Sequence, residues 1–217
     1  MKARLIIPLV LACIVPFVAK SQMSRPEIGI HAAMEVSLPT GGNNIYKNGA
    51  GLTLGANCHV PFARNFYFEP GLYFTYSAMS AKDLVSFDDK YYYEGAANLY
   101  GLRIPLMVGY RLDVVDVVTL HFATGPWLNV NISARQKLLP NFDAPVAVPS
   151  QTINLFNHGW KRVDALWGIQ LGATFADDYY VGVTTGVAFT PLASFGNRDK
   201  KIRIHRNTIA ISLGYRF

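Results

Sequence analysis

Apolar side chains recur at every second position through most of the chain, and eight stretches carry that period. The clearest is the last, Asn207–Phe217. There Ile209, Ile211, Leu213, Tyr215 and Phe217 alternate with Thr208, Ala210, Ser212, Gly214 and Arg216. A period of two belongs to a strand with two unlike faces. The same alternation predicts strands at Glu27–Leu38, Ala50–Val60, Phe66–Ser77, Asn98–Tyr110, Val117–Val130, Asp164–Phe175 and Tyr179–Thr190. Pro105 falls inside the fourth, where its missing N–H predicts a bulge. The second face of the fifth, with His121, Ala123, Gly125 and Trp127, is less clearly polar than the others.

The two faces differ in one consistent way. One carries large apolar side chains. The other carries glycines (Gly29, Gly51, Gly55, Gly71, Gly101, Gly109, Gly168, Gly172, Gly182, Gly186, Gly214) and the polar residues Glu35, Asn57, Glu69, Arg103, Gln170 and Arg216. Charges are costly against hydrocarbon, so in a membrane the polar face must line the interior. The connections also sort by length. Pro61–Asn65, Asp113–Asp116 and Ala176–Asp178 are short, and they alternate with the long connections Pro39–Gly49, Ser77–Ala97, Asn131–Val163 and Pro191–Arg206. Short periplasmic turns and long outer loops are the habit of outer-membrane barrels. The expectation is an all-β fold: an eight-stranded antiparallel up-and-down transmembrane β-barrel. A soluble lipocalin-type barrel, with the apolar faces inward, is the competing reading. The glycine-lined polar face and the terminal aromatic strand favour the membrane barrel, and that strand also suits recognition by barrel-assembly machinery.

Composition sharpens the choice. Charged residues are 16% of 217, against about 25% in soluble domains. Mean hydropathy is +0.18, yet beyond the N-terminus no run approaches the ~20 apolar residues of a membrane helix. The formal charge of +6 is dispersed, which excludes the basic stripe of a nucleic-acid binder. Residues 1–21 read as a signal peptide: Lys2 and Arg4, the apolar run Leu5–Val18, then Ala19-Lys20-Ser21 before a cut. The barrel domain is then 22–217. Leu11-Ala12-Cys13 leaves lipidation of Cys13 as an alternative, and otherwise Cys58 is the single cysteine of the mature chain.

Several stretches carry a family likeness: Glu69-Pro70-Gly71-Leu72-Tyr73-Phe74, Leu102-Arg103-Ile104-Pro105-Leu106, Gly125-Pro126 and the terminal Leu213-Gly214-Tyr215-Arg216-Phe217. On these the chain resembles the small outer-membrane β-barrel proteins of Bacteroidetes, the group that includes PorT. The resemblance implies an outer-membrane location and, for some members, assistance to the type IX secretion system. It carries no catalytic signature.

The candidate chemistry lies inside and at the rim. If the second and third strands pair through Pro61–Asn65, Asn57 lies opposite Glu69, and a fourth strand in register brings Arg103 near Glu69. Side chains just fill an eight-stranded interior, so Glu35, Asn57, Glu69, Arg103, Gln170 and Arg216 read as a polar network plugging the lumen, with no open pore. No histidine (His31, His59, His121, His158, His205) has a serine two residues away, none shows metal spacing, and each reads as a lumen filler or a loop residue. A lipid A-modifying outer-membrane enzyme is the third reading, after the membrane and lipocalin-type barrels, but no enzyme, cofactor or metal is expected. In the outer loops, Tyr91, Tyr92 and Tyr93 beside Asp88, Asp89 and Lys90 form a candidate contact patch. Trp160, Lys161 and Arg162, and Arg198, Lys200, Lys201, Arg203 and Arg206, are expected at lipopolysaccharide phosphates. Tyr73, Tyr76, Tyr110, Trp127, Trp160, Tyr179, Tyr180, Tyr215 and Phe217 are candidates for interfacial aromatic belts. The expected partners are outer-membrane lipid and lipopolysaccharide, barrel-assembly machinery and, by the resemblance, secretion-system proteins.

Overall fold

The computed structural model describes residues 26–41, 45–81, 91–140, 150–195 and 202–217, with residues 91–95, 139, 140 and 195 described at the backbone alone. The targeting segment, Cys13, Arg198, Lys200 and Lys201 lie outside the described residues, as do the side chains of Tyr91, Tyr92 and Tyr93. Ten strands are present among the described residues: β1 (Glu27–Gly41), β2 (Gly49–Pro61), β3 (Phe66–Ser80), β4 (Tyr91–Val115), β5 (Val118–Pro140), β6 (Gln151–Asn154), β7 (Val163–Phe175), β8 (Tyr179–Ala188), β9 (Ala193–Phe195) and β10 (Ile202–Arg216). Eight long ones pair antiparallel in the order β1-β2-β3-β4-β5-β7-β8-β10, and β10 returns to β1 over Gly29↔Arg216 to Gly41↔Ile204. The sheet therefore closes, and closure removes the unpaired edges that an open sheet would expose. The short strands β6 and β9 add to β5 and β10 at one end.

The alternation sets the faces as expected. Met34, Leu54, Ile211 and Leu213 point outward and are 74%, 63%, 62% and 62% exposed. Glu35, Asn57, Glu69 and Arg103 point inward and are buried. An apolar belt outside and charge inside is the reverse of a soluble barrel, so the lipocalin reading falls here. Short turns join the strands at the end that holds both described termini, between Pro61 and Phe66, Val115 and Val118, and Phe175 and Tyr179. Ala176 and Asp177 both take positive φ, 48° and 66°, which makes the last of these a tight reversal.

Three expectations are corrected. First, β4 and β5 run well beyond the predicted 98–110 and 117–130, so Tyr91–Tyr93 lie in a strand, paired with Pro140, Leu139 and Leu138, rather than in a loop. Second, the register passes Pro105 unshifted (Ile104↔Leu128, Pro105↔Trp127, Val108↔Thr124). The shifts lie elsewhere, between Glu94 and Asn98, between Asp113 and Val115, and between Tyr100↔Ser133 and Gly101↔Asn131, the last of which leaves Ile132 as the extra residue. That bulge flips the phase of β5. Below it Asn129 and Asn131 face inward, whereas above it Ala134, Gln136 and Leu138 do. Third, β10 begins at Ile202, so Arg203 and Arg206 are strand residues.

The inward glycines have a packing reason. A methyl group at Gly168 would sit 2.2 Å from the Trp127 ring, and one at Gly109 would sit 2.1 Å from Tyr67. Gly172 and Gly182 both lie against Tyr180, and Gly29 and Gly214 against His31. Large lumen rings lie flat on neighbouring strands, and only glycine leaves them room. This corrects part of the aromatic belt: Trp127 and Tyr180 are buried inside, and Tyr73 lines an internal cavity. Tyr110, Tyr179, Tyr215 and Phe217 do face outward.

Candidate functional site

The lumen is stacked in three levels. The level nearest the long loops is an apolar cap. Tyr46, Met79, Leu99, Leu138, Leu155, Trp160, Leu192 and Ile204 are its larger members, all buried in one cluster. Several come from connections that fold in over the barrel. A 3₁₀ turn, Leu155–His158, is capped by the Asn154 side chain and ends at Gly159 with φ 81°, which turns the chain back so that Trp160 packs edge-on against Tyr46 at 5.6 Å. Trp160 is thus a cap residue and not a headgroup contact, which corrects its predicted place.

Below the cap lies a charge clamp. Arg103 grips Glu35 with both terminal nitrogens, at 2.6 and 3.2 Å. Its Nε donates to Asn129 at 3.0 Å, and its guanidinium lies 4.8 Å from the centre of the Trp127 ring. Asn129 and Asn131 donate to the two oxygens of Asp164, at 2.9 and 2.7 Å, and Arg206 donates to the same carboxylate at 3.3 and 3.4 Å. All six residues are buried. Each carboxylate here meets a guanidinium directly, the arrangement that makes a buried pair tolerable. The expected pairing of Arg103 with Glu69 is therefore wrong. Arg103 stands opposite Tyr73 on β3 and reaches across the lumen to β1 instead. Arg206 is likewise a clamp residue rather than a surface cation.

The level nearest the short turns is built differently. Asn57, opposite Gly71 in register, still donates to Glu69 at 2.5 Å. The other Glu69 oxygen lies 3.2 Å from His59 Nε2. That same nitrogen is 3.4 Å from Arg216 Nη2. One imidazole nitrogen cannot donate to Glu69 and accept from Arg216 at once. His121 Nε2 is contested in the same way, at 2.9 Å from Thr174 Oγ1 and 3.1 Å from Arg216 Nη1. Arg216 is 5% exposed, and its nearest carboxylate contact is Glu27 at 4.0 Å. Buried polar atoms without a hydrogen-bond partner gather here: His31 Nε2, Asn57 Oδ1, Tyr67 Oη, His121 Nδ1 and Arg216 Nε. Gln170 donates to Tyr180 at 2.9 Å.

Between clamp and lower level is a cavity of about 60 Å³ lined by His31, Thr53, Glu69, Arg103, Gln170 and Ser212 among others. Apolar side chains, among them Pro105, Met107, Trp127 and Ala210, make up most of its wall, and it is large enough for a few waters. Beneath Arg216 and His121 a vestibule of about 600 Å³ opens among the short turns, with Glu27, Asp113, Asp116, Asp177 and Asp178 around it. The six residues expected in the lumen all point into it. Sequence reasoning left His31, His59 and His121 as lumen fillers or loop residues outside the named network, and it missed Asn129, Asn131 and Asp164. The histidines' signal was present, since His31 and His59 lie on the polar face. Asn131 and Asp164 were hidden because they lay at or beyond predicted strand ends. Among the described residues no group of three or more His, Cys, Asp or Glu is placed to hold a metal ion.

A closed eight-stranded barrel with a lipid-facing belt and a filled polar lumen is an outer-membrane protein. The chain belongs to the family described as outer membrane protein beta-barrel domain, whose model matches residues 22–195. Its fold is similar to that of OprG from Pseudomonas aeruginosa, with a TM-score of 0.52 at 12% identity, over 88% of this chain and 95% of that one. It is also similar to Ail, the attachment invasion locus protein of Yersinia pestis, with a TM-score of 0.40 at 12% identity, over 89% of this chain and 100% of that one. No curated protein sequence matches it.

Proposed function

We propose that this protein is a non-enzymatic outer-membrane barrel that acts at its two ends rather than through its lumen. The observation that carries the reading is the stacking of an apolar cap over a clamp of two ion pairs, which leaves a lumen cavity of about 60 Å³. Passage of even a small solute would require breaking buried pairs in a low-dielectric interior, each costly to separate. The working surfaces are then the outer loops and the acidic vestibule among the short turns. The resemblance to PorT-like barrels supports assistance to protein export as the physiological role, with secretion-system proteins as partners at the periplasmic face.

Two experiments test this. Purified protein in planar bilayers is expected to give no steady conductance; a stable single-channel current sinks the sealed-lumen reading. Deletion is expected to change the set of secreted proteins and to leave the lipid A composition as in the parent. An unchanged secretome removes the export role, and an altered lipid A pattern in its place points to an enzyme.

A further inference from the structure

Five carboxylates converge on the mouth of the barrel at its short-turn end. Glu27 comes from β1, Asp113 and Asp116 from the end of β4 and its turn to β5, and Asp177 and Asp178 from the turn between β7 and β8. All five line the vestibule of about 600 Å³, against two guanidinium groups, Arg111 and Arg216. With His121 neutral, the described wall therefore carries a net charge of −3. A mouth lined by one sign of charge concentrates guests of the opposite sign. Three of the carboxylates are already engaged. Glu27 lies 3.4 Å from Arg111, Asp113 accepts from Thr119 at 2.9 Å, and Asp178 accepts from Tyr215 at 3.3 Å. Asp116 and Asp177 are exposed and have no side-chain partner among the described residues.

A bare cation answers only half of this wall. Arg216 and His121 also line the vestibule and are themselves 5% and 2% exposed. Arg216 Nε and His121 Nδ1 are both buried nitrogens without a hydrogen-bond partner. A guanidinium nitrogen can only donate, so a matching guest brings an oxygen acceptor as well as positive charge. Val114, Val115 and Phe217 line the same space and are 54%, 57% and 73% exposed, which adds apolar contact. A polyamine offers no acceptor, and the acidic rim repels a free anion. An extended basic peptide carries cation, carbonyl and apolar group at short spacing. The vestibule also falls within the ~300–1,000 Å³ of ligand sites. We propose that it holds a short extended segment of a protein partner, with a lysine or arginine side chain on Asp116 and Asp177 and main-chain carbonyls on Arg216 and His121. The proposal rests on the reading above that the barrel works at its ends, and it names the chemistry of the guest at one of them.

The test uses the purified full barrel in a zwitterionic detergent. The probe is a fluorescein-labelled peptide of alternating lysine and valine with capped ends. Its glutamate–valine counterpart and spermidine are the competitors, and fluorescence anisotropy reads binding. The lysine peptide is expected to saturate, to bind roughly tenfold tighter than the glutamate peptide, and to weaken as salt rises. The double variant Asp116→Asn, Asp177→Asn is expected to weaken it roughly tenfold, since an exposed ion pair is worth up to about fivefold. Both side chains are exposed and unpartnered, so the urea midpoint of that variant is expected to match the wild type. Arg216→Lys keeps the charge and removes the Nε donor; it is expected to weaken the peptide several-fold and to leave spermidine unchanged. Equal binding of the two peptides, or an unchanged affinity in the double aspartate variant, overturns the proposal. Spermidine binding as tight as that of the lysine peptide overturns the peptide as the guest. Absent peptide binding beside an altered secretome in the deletion strain strikes this proposal alone, whereas saturable binding beside an unchanged secretome supports it and strikes the export role alone.

Discussion

The two charged levels of this lumen contain similar residues and differ in how those residues are joined. In the upper clamp each carboxylate touches a guanidinium: Glu35 with Arg103, Asp164 with Arg206. In the lower level Glu69 and Arg216 are separated by His59, and both compete for one imidazole nitrogen. In the clamp Asn129 and Asn131 supply further donors to Asp164, and Arg206 Nε is its buried polar atom without a hydrogen-bond partner. The lower level has more donors and acceptors than its geometry lets it match, and it lies beside the vestibule among the short turns. Placement explains the difference. The clamp and cap keep the outer face sealed, whereas water near the vestibule can complete the lower network.

The largest expected effect breaks the clamp. Arg103→Met leaves Glu35 buried without its cation and is expected to cost about 3–5 kcal/mol, read as a lower urea midpoint of the folded barrel. Arg216→Met is expected to cost clearly less, roughly 1–3 kcal/mol, because His59 is then free to donate to Glu69. An equal or larger loss for Arg216→Met would erase the distinction between the levels. Gly168→Ala comes next. The new methyl meets the Trp127 ring that backs Arg103, and overpacking of this kind costs about 1–3 kcal/mol. A shift in tryptophan emission should accompany it, and unchanged stability and emission would show that the ring is not held. The smallest effect separates bonded from unbonded hydroxyls. Ser77→Ala removes the 2.8 Å bond to Ser37 and is expected to cost about 1 kcal/mol, whereas Thr53→Val, at a hydroxyl with no partner, is expected to be near neutral.

Much of this architecture is legible in the residues taken one strand at a time. Ile209, Ile211 and Leu213 against Ala210, Ser212 and Gly214 declare a two-faced strand, and the structure keeps that assignment. The polar six all face the lumen. Legibility fails where one strand's phase or length depends on another. The Ile132 bulge moves Ala134, Gln136 and Leu138 into the lumen, and a simple alternation carried past Asn131 places them outside. Arg206 reads as one cation in a basic loop, and only the extension of β10 brings it under the cap to Asp164. Trp160 reads as an interfacial anchor because aromatic residues beside cations usually are; the turn at Gly159 folds it inward instead.

What the sequence determined by itself is the number of long barrel strands, the two faces and the alternation of short and long connections. These are local properties: side-chain direction alternates with each peptide unit, and turn residues act within a few positions. What only the tertiary structure decided is which buried charges meet, which aromatic rings enter the lumen and how far β4 and β5 extend. Those depend on closure. The stagger between strands sets which inward residues share a level, so Arg103 meets Glu35, 68 positions away, rather than Glu69 on its neighbouring strand. A glycine on one strand makes room for a ring on the next only once the two are paired.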